Sequence, residues 1–154
     1  MLFDPRHEDT LGRLEEQLRS ADAITPGMMS EVIADACARF GALGSAAKAW
    51  VDRLIESGAW TDATLALVEL ELPHWKLRRL LYEDGEWFCS LSKQPRLPLG
   101  LDETVEAGHE ILPLAILIAF PQARRAATAS ATVATTVPQV RSAPSDAVCC
   151  DNFA

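Results

Sequence analysis

The chain has little of what marks several large classes of protein. Its 154 residues carry 14 lysines and arginines against 22 aspartates and glutamates, a formal charge of −8. This deficit of positive charge argues against a protein that coats duplex nucleic acid or adheres to an anionic membrane surface. The longest apolar run, Ile111 to Pro121, has eleven residues, whereas a membrane-spanning helix needs about 20. The run therefore predicts a buried core segment, and no membrane partner is expected.

Cysteine is scarce, and its spacing carries no motif. The four cysteines are Cys37, Cys89, Cys149 and Cys150, and none forms a C-x-x-C pair. Neither a zinc site nor a disulfide framework follows from this spacing. The first ten residues turn acidic at Asp4 and have no apolar stretch of signal-peptide length. We therefore expect reduced thiols, a cytoplasmic location and no cofactor or metal, and we assign no role to Cys149 and Cys150.

The composition changes near residue 127. Residues 128–154 consist mostly of Ala, Thr, Ser, Val and Pro, and aromatic residues are absent there until Phe153. Such a segment buries too little apolar area to offset the entropy of ordering it. We expect one domain over residues 1–127 and a disordered tail over 128–154. The alternative is a tail that docks through residues 148–153.

Helical signals dominate the first part of the domain. Leucines recur at helical spacing within residues 8–20 and predict an amphipathic helix. Thr25 before Pro26 is typical of an N-cap followed by proline at the first helical position. Ser45 is placed to cap a third helix, and Gly58 is placed to end it.

The segment 63–72 is ambiguous. Its apolar residues fit a helix, but residues 68–72 also alternate in the manner of a strand. Leu, Ala and Glu are good helix formers, so we favour a helix that ends before Pro73.

A hairpin is the strongest local signal. Asp84-Gly85 lies between two runs rich in aliphatic and aromatic residues, and it suits a two-residue type I′ turn because both central positions need positive φ. That turn fixes the pairing. The expected pairs are Glu83 with Glu86, Tyr82 with Trp87, Leu81 with Phe88, Leu80 with Cys89, and Arg78 with Leu91.

The two faces of this hairpin are both partly apolar. The face expected to meet the core holds Leu80, Tyr82, Trp87, Cys89 and Leu91. The other face holds Leu77, Leu81 and Phe88 with Arg79. The favoured expectation is that helices of this chain cover everything, but an uncovered face or strand edge would bind a partner. The candidate partner-binding residues are Trp75, Leu77, Arg79, Leu81 and Phe88.

The last part of the domain is expected to be helical. Asp102 is placed to cap a short acidic helix that ends near Glu110. Pro113 is placed to open the final helix, in which residues 114–120 are apolar on every side. A helix that is apolar all round is buried all round. The sequence therefore predicts an α+β fold, a small helical domain with one antiparallel β-hairpin packed on a buried C-terminal helix.

No motif names a reaction, so a non-catalytic interaction or regulatory protein is the leading hypothesis. It would bind a protein partner or a second copy of itself through the hairpin and the last helix. One alternative is an enzyme whose site is assembled from His74, Cys89 and His109. Another is a weak single-stranded nucleic-acid binder that uses residues Trp75 to Arg79, although the net charge argues against that partner.

Several short motifs lie between Trp60 and Arg125. They are Leu70–Pro73, Trp75, Arg78–Leu80, Asp84–Trp87, Cys89, Leu91–Ser92 and Leu114–Leu117. In these motifs the chain resembles a group of short uncharacterised bacterial proteins. The resemblance covers less than half of the chain and implies a bacterial origin, and it implies no catalytic residues.

Overall fold

The structure, a computed structural model, describes residues 5–134, and within them an α+β fold combines five α-helices with a three-stranded sheet. The helices are α1 (Pro5–Arg19), α2 (Pro26–Ala36), α3 (Ser45–Glu56), α4 (Trp60–Glu71) and α5 (Leu112–Ala134). The strands are β1 (Lys76–Glu83), β2 (Glu86–Ser92) and β3 (Thr104–His109). Short 3₁₀ turns occur at Phe40–Ala42 and Leu99–Leu101.

The helix boundaries follow local signals closely. The Thr25 side chain accepts a hydrogen bond from the Met28 backbone N–H at 3.2 Å, so the expected cap of α2 is confirmed. Gly58 adopts a φ of 72° just beyond α3, the left-handed conformation that glycine takes most easily. The expected cap of α3 is wrong by one residue, since Gly44 lies at the N-cap and Ser45 begins the helix.

The ambiguous segment 63–72 is helical up to Glu71 within α4. Ala63, Leu67 and neighbouring apolar residues of this helix are buried, and α4 packs against α5. The helical period places these residues on the side that meets the core, whereas a strand would have placed half of them in water.

The β1–β2 hairpin forms at the predicted turn. Asp84 and Gly85 have φ values of 53° and 90°, as a type I′ turn requires. The predicted pairs from Glu83–Glu86 to Leu80–Cys89 are all confirmed.

A register shift changes the pairing at the start of β1. Leu77 lies opposite Leu91, and Arg78 is the extra residue before Arg79. The predicted pair of Arg78 with Leu91 is therefore wrong. Opposed residues share a face of the sheet, so Leu77 joins the face of Leu80 rather than that of Leu81 and Phe88. The bulge directs the Arg78 guanidinium to Asp102, at 2.5 Å, and to the Leu97 carbonyl, at 2.9 Å.

The segment expected to be an acidic helix is a strand. β3 pairs antiparallel with β2, and Val105 and Ala107 lie opposite Leu91 and Cys89. A Cβ at Gly108 would come within 3.0 Å of the Phe88 ring, so this position favours glycine. Pairing with β2 outweighs the favourable position of the glutamates in a short isolated helix, because such a helix is only marginally stable by itself.

Helix α5 forms the centre of the core. Each residue from Leu114 to Phe120 is at most 1% exposed, so the predicted burial on every side is confirmed. β2 and β3 cover one side of the helix, and α1 and α4 cover another. The helix continues to Ala134, past the domain boundary expected after residue 127. The rest of the expected tail, with Cys149, Cys150 and residues 148–153, lies outside the described residues.

Ion pairs attach α5 to the surrounding helices. Arg124 Nη1 lies 3.1 Å from the Glu71 carboxylate of α4 and donates to the Ala36 carbonyl at the end of α2. The same Glu71 oxygen accepts the Arg39 backbone N–H at 3.1 Å. The Glu71 side chain is fully buried, so this carboxylate joins three segments in an environment where an unpaired charge is costly.

We predict that Glu71→Ala lowers the free energy of unfolding by about 3 kcal/mol, because it leaves the partly buried Arg124 without its carboxylate. Urea denaturation measures the loss. Glu69→Ala is the matched control, since Glu69 lies on the same helix but is exposed and 3.9 Å from Lys76. It should change stability by about 0.5 kcal/mol or less. Equal effects of the two substitutions would contradict this role of Glu71.

Candidate functional site

Strand β1 is the part of the sheet that the core helix leaves uncovered. Helix α5 packs on β2 and β3, while the extensive contacts of β1 are with β2. Four apolar side chains of β1 remain exposed: Leu77 (40%), Leu80 (36%), Leu81 (38%) and Tyr82 (58%). We call these four residues the β1 patch. Leu77, Leu80 and Tyr82 share one face of the sheet and Leu81 lies on the other. A cluster of exposed apolar residues is typical of an interaction site.

The outer edge of β1 presents unpaired backbone groups. The strand order is β1-β2-β3, so no strand within residues 5–134 pairs with this edge. The type I′ turn directs the Glu83 carbonyl toward β2, and antiparallel bonding alternates along the strand. The N–H and C=O groups of Leu80 and Tyr82 therefore point outward, where another strand could receive them.

The two faces beside this edge are both apolar. On one face the Tyr82 ring packs against Trp87, with a centroid separation of 4.9 Å, and Leu80 and Leu77 follow along the strand. On the other face Leu81 lies opposite Phe88, which is half-buried. A strand added at this edge would gain apolar contacts on both faces.

Charge is distributed unevenly along β1. The first half carries Lys76, Arg78 and Arg79, and the turn end carries Glu83 and Asp84. Arg79 forms an exposed ion pair with Glu106 at 3.2 Å. Glu83 lies directly opposite Glu86, and within residues 5–134 neither glutamate has a salt bridge. The strand thus has a basic end and an acidic end, and like charges face each other at the acidic end.

The structure brings together most of the residues predicted to bind a partner. Arg79 and Leu81 are exposed on β1 on the same face as Phe88 of β2, while the bulge places the exposed Leu77 on the opposite face. Trp75 is only 2% exposed, so its assignment to a binding surface is wrong. Its ring is packed in the core with the Lys93 ammonium 5.4 Å from its centroid.

Sequence reasoning assigned Leu80 and Tyr82 to the core face, and the structure exposes both. They do lie on the same face as the buried Cys89 and Leu91. One helix cannot cover three strands, because neighbouring strands lie about 4.8 Å apart and a helix with its side chains is about 10 Å wide. The exposure of Leu80 and Tyr82 could therefore have been predicted from the number of strands in the sheet. That prediction would have required recognising residues 104–109 as a third strand.

The three residues of the enzyme alternative do not form one site. His74 precedes β1, and His109 ends β3 opposite Trp87. These points lie at opposite ends of the sheet, separated by about five residues of strand or roughly 17 Å. Burial, and secondarily the charge of Glu106, raises the pKa of the Cys89 thiol to about 12. A thiol of this kind is not an activated nucleophile.

The nucleic-acid alternative loses its stacking residue and its unpaired cations. Trp75 is buried, so no base can stack on it. Lys76, Arg78 and Arg79 each lie within 4 Å of a carboxylate of this chain. Each of these cations thus already lies beside an acidic side chain of the same chain, and the pairs of Lys76 and Arg79 are exposed.

A second candidate is a depression of about 440 Å³ beside Trp75, also lined by Glu71 and Lys93. Glu71 Oε1 and Trp75 Nε1 are buried and have no hydrogen-bond partner among the described residues. Both atoms are inaccessible to solvent, so a ligand would have to displace the lining side chains to reach them. The exposed β1 patch needs no such rearrangement.

The described part of the chain carries neither a metal site nor a membrane-spanning helix. Within it, no group of three or more His, Cys, Asp or Glu side chains could hold a metal ion. None of its helices has the length and apolar character needed to cross a membrane. Comparisons with protein-family models, with curated proteins and with solved structures find no match. The resemblance of residues 60–125 to short bacterial proteins thus stays a prediction.

We predict that neither Cys37 nor Cys89 reacts with iodoacetamide at pH 8 in the native protein. Both thiols are buried, and burial is the main cause that raises the pKa of each to about 12, so the thiolate fraction is negligible. Peptide mass spectrometry locates the label. The positive control is the same reaction in about 8 M urea, a concentration that unfolds most small domains. Rapid native labelling of Cys89 would revive the enzyme alternative.

Proposed function

We propose that the chain is a non-catalytic interaction protein that binds another polypeptide by strand addition at β1. The observation that carries this proposal is the coincidence of an unpaired strand edge with exposed apolar side chains on both of its faces. Main-chain hydrogen bonds would supply affinity, and the alternate side chains would supply specificity. A cytoplasmic setting belongs to the same proposal, supported by the two buried free thiols.

The last helix has no part in this binding surface. Its apolar segment, residues 114–120, is covered by the chain's own sheet and helices. The sequence predicted docking through both the hairpin and the last helix. We limit the proposed binding surface to strand β1 of the hairpin.

The bulge and charges of β1 restrict what can bind there. The bulge at Arg78 interrupts a regular ladder, and natural edge strands use bulges and charged residues to prevent uncontrolled pairing. The regular stretch therefore runs from Arg79 to Glu83. A partner strand must be short and must place an acidic group near Arg79 and a basic group near Glu83.

We predict that a photo-crosslinking residue, p-benzoylphenylalanine, at position 82 yields discrete protein adducts in living bacteria. Tyr82 is the most exposed residue of the β1 patch, so a bound strand would lie within reach. Gel electrophoresis and mass spectrometry identify the adducts. The same residue at Leu101, which is exposed in a loop turn, is the matched control.

Adding Leu80→Pro should abolish the adducts from position 82. Proline removes the outward N–H of Leu80 and leaves the bonds to β2 intact, and circular dichroism checks that the fold is retained. Equal adducts from positions 82 and 101, or adducts that persist in the Leu80→Pro protein, would refute strand addition.

A further inference from the structure

We propose that the strand added at β1 is β1 of a second copy of this chain, antiparallel and centred on Leu81. This inference rests on the proposed function, since it takes β1 as the docking edge. It names the partner and the register, and the product is a continuous six-stranded sheet with the two β1 strands at its centre.

Two-fold symmetry leaves few registers for such a pair. Two identical antiparallel strands in one sheet are related by a two-fold axis perpendicular to that sheet. The axis lies midway between the strands, so one residue must face its own copy across it. The outward groups of Leu80 and Tyr82 must also meet outward groups of the copy. Centres at Arg79, Leu80 and Leu81 keep both residues clear of the turn, but a centre at Arg79 or Leu80 brings the bulged Arg78 opposite Leu80 or Tyr82.

The side chains distinguish these three centres. A centre at Arg79 would place that arginine opposite its own copy, and a centre at Leu80 would place Arg79 opposite Leu81. The centre at Leu81 places Arg79 opposite Glu83, Leu80 opposite Tyr82, and Leu81 opposite itself. Only this register matches opposite charges with each other and apolar residues with each other.

The acidic end of the hairpin gains most from this register. Glu83 faces Glu86 across the hairpin, and like charges directly opposite destabilise a sheet. Neither glutamate has a salt bridge within residues 5–134. The second copy brings its Arg79 to the other side of Glu83, so a cation arrives where the single chain lacks one. The exposed pair of Arg79 with Glu106 is weak enough to be exchanged or shared.

The net charge of −8 does not prevent this pairing. Exposed charges farther apart than about 8 Å are largely screened at physiological ionic strength. The adjacent charges then decide, and in this register they are complementary at both ends of the shared strand pair.

The charge test uses two variants that repel themselves but complement each other. In a dimer of two Arg79→Glu chains, the new carboxylate of each chain faces Glu83 of the other. In a dimer of two Glu83→Lys chains, the new ammonium of each chain faces Arg79 of the other. Each variant alone should show a dimer Kd raised by about tenfold or more. An equimolar mixture should restore dimers, since both pairs are then opposite in charge. Light scattering over roughly 1–500 µM and native mass spectrometry measure this.

The register test uses cysteine at the two-fold axis. In a Cys149→Ser, Cys150→Ser background, Leu81→Cys faces itself in a non-hydrogen-bonded pair with Cα atoms about 4.5 Å apart, which a disulfide can span. Copper-phenanthroline oxidation should give covalent dimers rapidly. Leu101→Cys, equally available in a loop, is the control and should give few.

The inference is established if mixing the Arg79→Glu and Glu83→Lys chains restores dimers and if Leu81→Cys rapidly forms a disulfide between two chains. A wild-type chain that stays monomeric over the whole concentration range overturns it, as does a mixture that remains as weak as its components. If adducts from position 82 then contain a different protein or the chain's own residues 135–154, self-pairing is wrong while strand addition at β1 stands. If position 82 gives no adducts with any protein, including a second copy of this chain, both self-pairing and strand addition at β1 are wrong.

Discussion

The burial of one wholly apolar helix segment determines the rest of this structure. Residues 114–120 of α5 have no polar side to present to water, so partners must surround them. In this domain the cover is a sheet on one side and helices on another. Strands β2 and β3 form the sheet side of this cover, while α1 and α4 contribute to the helical side. Arg124 and Arg125, beyond the apolar segment, then fix the helix to Glu71 and Glu15.

The same constraint explains why β1 is exposed. A single helix covers about two strands, since its width is about twice the strand spacing. α5 packs over β2 and β3, which contribute the buried Cys89, Leu91 and Ala107. β1 completes the hairpin, but among residues 5–134 no helix packs on it as extensively as α5 packs on β2 and β3. Its leucines are therefore exposed because of how the core is built, and the proposed binding surface would be a consequence of the fold.

Sequence reasoning succeeded where the signal is local. The Asp84-Gly85 turn, the Thr25 cap and the burial of residues 114–120 each depend on a few neighbouring residues. It failed for β3, because that strand exists through pairing with β2 rather than through its own pattern. The bulge at Arg78 was missed for the same reason, since its guanidinium binds Asp102 and the Leu97 carbonyl on a distant connection. Missing β3 in turn hid the exposure of Leu80 and Tyr82.

An exposed apolar edge is a hazard for any protein, because it can recruit strands indiscriminately. β1 limits that hazard with charges of opposite sign at its two ends. Such a strand repels a copy in a parallel alignment, where each end meets its like, and attracts one in an antiparallel alignment. A two-fold pair also consumes both β1 edges at once, so assembly through β1 stops at two chains rather than growing into a fibre. In the proposed dimer, the charge pattern that protects the edge would therefore also select a partner that closes the assembly.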